Sequence, residues 1–69
     1  MLWVIVGDAS YEIVSCNVHE KDGIFSIWIE RPNGKTLKLK ESEKEEDVKI
    51  IKEAIDYAIS KGEKTLVLE

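Results

Sequence analysis

Cys16 and His19 are the only thiol and the only imidazole in this chain, and they lie three residues apart. A thiol beside an imidazole can act as an activated nucleophile or supply half of a metal site. Strand geometry argues against both, because residues three apart on a strand project from opposite faces. Cys16 alternates with Val14 and Val18. It is therefore expected on an apolar face, as a buried and unreactive thiol. His19 precedes a hairpin signal and is expected on the surface.

The other chemistry-bearing residues converge no better. Carboxylates between Glu41 and Asp47 are mostly adjacent at a helix start, so they fan around its axis. They also lack the spaced ligands and central glycine of a calcium loop. Gly7-Asp8-Ala9-Ser10 follows an apolar strand, where phosphate loops occur, but it has neither the Gly-x-x-x-x-Gly-Lys pattern nor a following helix. The serines have no acid–base partner in sequence beyond the one histidine. Arg31, the only arginine, lies in a turn. No catalytic, metal or cofactor-binding residue is assigned, and no cofactor is expected.

Sixty-nine residues with one cysteine make one small domain without an internal disulfide. A chain this short must rely on dense packing, on association, or on both. Nine isoleucines and six valines favour the first. Charged residues make up 35%, mostly Glu and Lys, and glutamine is absent. That bias is hyperthermophile-like and suggests a thermostable protein, although Asn33-Gly34 is a chemically fragile pair. A net charge of −4 argues against bulk attraction to nucleic acid or anionic membrane. The apolar run from Met1 to Val6 is too short to span a bilayer and lacks a signal-peptide flank, so a cytoplasmic location is expected.

The elements that would position these residues are strongly marked. Strands are expected at about residues 2–6, 11–20, 24–30, 36–40 and 64–68, and a helix at about 43–61. Lys21-Asp22-Gly23 and Pro32-Asn33-Gly34 signal hairpins. Ser42-x-x-Glu45 reads as a capping box, and Glu43, Glu45, Glu46 and Asp47 suit the positive end of the helix dipole. Val48, Ile51, Ile55 and Ile59 form one apolar stripe. Lys61 and Gly62 close the helix. Glu45–Lys49 and Lys52–Asp56 are opposite-charge pairs at four-residue spacing.

The order β-β-β-β-α-β with short turns predicts an α+β fold. Its sheet would have five mainly antiparallel strands in the order 4-3-2-1-5, with the helix across one face. The runner-up places the last strand parallel to the fourth through a right-handed crossover. The helix would cover Val14, Cys16, Val18, Phe25, Ile27, Ile29, Leu37 and Leu39. The opposite face would then carry Ile13, Ile24 and Trp28, joined either by Trp3 and Ile5 or by their neighbours Leu2, Val4 and Val6. Such an apolar patch exceeds scattered exposure.

That face points to a non-catalytic module that binds itself, as a homodimer, or another protein through Trp28, Ile24, Ile13 and Trp3. A nucleic-acid binder would use the same aromatics for stacking, helped by Lys21, Arg31, Lys35, Lys38 and Lys40. A small enzyme would need a site that the sequence does not display.

Overall fold

The chain changes its inward side between Ile13 and Cys16. In the computed structural model, which describes residues 1–68, the elements follow as β1 (Leu2–Val6), β2 (Ala9–Ile13), β3 (Ser15–Lys21), β4 (Ile24–Glu30), β5 (Thr36–Ser42), α1 (Glu45–Ser60) and β6 (Thr65–Leu68). The fold is α+β, as expected. The single five-stranded sheet is replaced by two three-stranded ones, ordered β2-β1-β6 and β3-β4-β5.

The expected strand at 11–20 is two strands. Ile13 is 1% exposed and Cys16 5%, whereas Val14 is 41% exposed. A regular strand cannot turn two residues three apart to the same side. The break at Val14 resolves the conflict, and the Val14 N–H donates to the Glu30 carbonyl at 2.9 Å. β2 then pairs with β1, from Leu2↔Ile13 to Val6↔Ala9. β3 pairs with β4, from Ser15↔Glu30 to Lys21↔Ile24.

The order 4-3-2-1-5 fails for this reason. With β2 and β3 in separate sheets, the up–down count no longer runs through one meander. β6 lies beside the first strand, as expected, but parallel to it, from Trp3↔Thr65 to Val6↔Leu68. The runner-up beside the fourth expected strand is equally displaced.

Local turn chemistry explains the second sheet. Asp22 and Gly23 take φ of 53° and 78°, the paired positive angles of a two-residue hairpin loop. At the next turn the Arg31 N–H donates to the Lys35 carbonyl at 2.8 Å, and the Asn33 side chain accepts from the Lys35 N–H at 3.0 Å. Between β4 and β5 the register slips: Ile27 faces Lys40 and Trp28 faces Lys38, leaving Leu39 as an extra residue. A bulge of this kind resets the alternation along β5.

The helix starts later than the capping box predicts. Its N-cap is Lys44, without a side-chain cap bond. Ser42 is instead the last residue of β5, opposite Phe25. Its Oγ accepts from the Lys44 N–H at 3.1 Å and donates to Asp47 Oδ2 at 2.6 Å. Ser42 thus steadies the helix entrance from the strand side. The far end behaves as expected: Gly62 takes φ of 72°. The Gly62 N–H donates to the Ile59 carbonyl at 3.1 Å and the Glu63 N–H to the Ala58 carbonyl at 2.9 Å. These are the two bonds of a Schellman motif.

One core joins the two sheets and the helix. Val4, Ile27, Ile29, Val48 and Ile55 are fully buried within it. Removing each such side chain from water stabilises the fold by about 1.5–3 kcal/mol. Ala58 takes the inward place expected of Ile59, which is 39% exposed. Among the described residues no helix is long and apolar enough to cross a membrane.

Candidate interaction surface

β4 is the central strand of the second sheet, and its alternation divides inside from outside. Ile27 and Ile29 are wholly buried, while Ile24, Ser26 and Trp28 point away and are half-buried. Asn17, His19 and Lys21 flank them on β3, opposite Trp28, Ser26 and Ile24. Lys38 and Glu41 flank them on β5, opposite Trp28 and Ser26. The bulge at Leu39 is what brings Lys38 and Glu41 to one face although they are three apart. Their ion pair measures 3.0 Å.

Trp28 is the centre of this surface. Its Nε1–H donates to Ser26 Oγ at 3.0 Å, which lays the indole along its own strand. The His19 ring meets it edge-on, with centroids 6.3 Å apart and planes at 84°. The indole's only polar atom is thereby satisfied within the chain, and what it offers outward is apolar ring. On one side lies an open hollow of about 520 Å³ bounded by Lys21, Ile24, Trp28, Lys38, Glu41 and Glu43, among others. On the other lies a second hollow of about 370 Å³ between Asn17, His19, Trp28, Glu30 and Thr36. Trp28, half-buried, lines both.

The four residues expected to share one patch do not. Trp28 and Ile24 lie together. Trp3 is 43% exposed but belongs to the first sheet, where it borders Glu12, Arg31, Pro32 and Asn33. Ile13 is in the core and belongs to no surface. The break at Val14 is responsible for both corrections: it turns Ile13 inward and places β1 in the other sheet.

Cys16 lies on the inner side of β3 and His19 on the outer, so no thiol–imidazole pair forms. Burial pushes the Cys16 thiol up to about 11, with the Asp56 charge and the hydrogen bond to it adding to the effect. That bond places Sγ 3.5 Å from Asp56 Oδ1. Asp56 also holds Lys52 at 2.7 Å, and this contact raises the lysine's pKa. The sequence spacing foretold the Lys52–Asp56 pair. It held no sign of the Cys16 contact, which joins residues distant in the chain. Nor did it signal the Trp28 hollows, which depend on the bulge. Among the described residues no three metal-ligating side chains stand together.

No protein family, characterised protein or solved structure matches this chain.

Proposed function

We propose that this chain is a non-catalytic interaction module whose binding face is the outer side of β3, β4 and β5. Trp28 is its anchor and another protein its ligand. The observation that carries this reading is the placement of Trp28, a half-buried ring with its N–H already bonded, lining two open hollows. Tryptophan in such a position supplies large apolar contact area at little entropic cost, and binding hot spots are enriched in it. Around it Lys21, Asp22, Glu30, Lys38 and Glu41 form a polar rim, the usual arrangement at a protein interface.

Two rival readings fit less well. A strand of nucleic acid stacking on Trp28 and His19 would bring its phosphates against Asp22, Glu41 and Glu43, while Lys38 is already committed to Glu41. An enzyme would be expected to gather shifted titratable groups at its hollow. Among the described residues the two groups with clear shifts, Cys16 and Lys52, line neither hollow at Trp28.

Affinity capture tests the reading. The immobilised wild-type chain should retain a defined partner from an extract of its own cells. Trp28→Glu should lose that partner while its circular dichroism and melting stay near wild type. Retention of the same proteins by both chains overturns the proposal.

A further inference from the structure

Among the described residues the two sheets leave four strand edges, on β2, β6, β3 and β5. Free edges invite pairing with other chains, and proteins guard them with charge, bulges or proline. β5 carries Lys38, Lys40 and the bulge; β3 carries His19, Glu20 and Lys21; β2 carries Glu12 and runs on into β3. β6 is Thr65-Leu66-Val67-Leu68, with no charge, proline or glycine. Its one protection is its short length.

The hydrogen-bond phase of this edge follows from its pairing with β1. The Trp3 N–H donates to the Lys64 carbonyl at 2.9 Å, and Trp3 is in register with Thr65. In a parallel ladder a residue bonds the neighbours on either side of its partner. Leu66 and Leu68 therefore turn their N–H and C=O groups toward β1, and Thr65 and Val67 turn theirs outward. The side chains of these two residues are exposed as well, Val67 at 63%.

We propose that β6 pairs antiparallel with β6 of a second copy, about a two-fold axis at Leu66. Each Thr65 then faces Val67 of the other copy, and both pairs exchange N–H···O=C bonds, four in all. The two first sheets become one continuous sheet of six strands. On its outer surface Val67, next to Ile5 in register, continues into the row of the second copy.

Charge selects the second copy as occupant. Self-pairing sets an edge against itself. On β5 that would bring Lys38 and Lys40 against lysines, whereas the β6 register sets Leu66 against Leu66, Thr65 against Val67 and Lys64 against Leu68, so that among the described residues no like charges are opposed. The need is also physical: among the described residues nine side chains form the buried core, and chains of this size gain from association. The Trp28 faces stay outside the joint, so the dimer would display two of them and bind a repeated partner with avidity. The inference does not depend on that role.

Sedimentation across a wide concentration range tests it. Wild type should sediment at twice the chain mass at high concentration. Val67→Pro removes an outward N–H and no bond to β1, so it should give a folded monomer. Val67→Lys, at an exposed position, should do the same by guarding the edge. Trp28→Glu should remain dimeric. A wild type that is monomeric throughout, or a dimer that survives both Val67 substitutions, overturns the pairing. So does a dimer lost in Trp28→Glu and kept in the Val67 variants, a result that would instead assign self-association to the Trp28 face.

Discussion

The thiol of Cys16 points from β3 to the helix, where its Sγ lies 3.5 Å from Asp56 Oδ1. Burial and the carboxylate both hold the proton on sulfur, with a pKa of about 11 against the ordinary 9.0. At neutral pH the native protein should therefore resist thiol reagents and label only at its unfolding rate. Asp56→Asn should lower the thiol's pKa, because the negative charge beside the sulfur is removed. Rapid stoichiometric labelling of the native wild type would contradict the buried placement.

A pH dependence follows from the same contact. The folded pKa is raised above the unfolded value, so this contribution to stability is full below about pH 9. Between about 9 and 11 the unfolded chain releases the proton and the folded chain keeps it, so stability falls as pH rises. Urea midpoints through this window should fall more steeply for wild type than for Cys16→Ala. Equal slopes would contradict the shift.

Ser42 ties the end of β5 to the first helical turn through the Lys44 N–H and Asp47. Ser42→Ala should destabilise by about 1–2 kcal/mol, less than the summed worth of a charge-assisted bond and a neutral one because water replaces the exposed bond to the Lys44 N–H. Asp47→Ala should overlap with it, so that the double variant loses less than the sum of the two. Denaturation midpoints at constant m measure this. An unchanged midpoint in Ser42→Ala would contradict the bonding.

Ile13 and Val14 should respond in opposite ways. Ile13→Ala empties a fully buried site and should cost about 2–5 kcal/mol. Val14→Ala, at the exposed break between sheets, should cost under about 1 kcal/mol. The reverse ranking would restore one continuous strand across this region.

That pair also shows where the sequence stops being informative. Hairpins at Asp22-Gly23 and Asn33-Gly34 and the helix stop at Gly62 were legible because each rests on local backbone chemistry. So was the inward row Phe25, Ile27 and Ile29, which alternates with Ile24, Ser26 and Trp28 on the other face. Ile13 and Val14 are adjacent, β-branched and apolar, so either can face the core. The choice depends on which sheet each half-strand joins, a decision made by residues far along the chain. Ser42-x-x-Glu45 matches a capping box, but pairing with Phe25 claims Ser42 for β5 and moves the helix start onward. At the candidate site, Trp28 and Ile24 were legible from alternation alone. The loss of Ile13 and Trp3 from their patch follows from the break at Val14. The hollow beside Lys38 and Glu41 needs the bulge at Leu39, which no residue type announces.

Photo-crosslinking tests the central claim most directly, that the outer face around Trp28 is where a partner binds. A benzophenone-bearing residue would replace His19, beside Trp28, and in a second chain Glu53, exposed on the helix. Each chain would be irradiated in an extract of its own cells. The account predicts a discrete crosslinked partner from position 19, lost when Trp28→Glu is added, and none from position 53. Crosslinks from position 53 alone, or a position 19 product indifferent to Trp28→Glu, would contradict it.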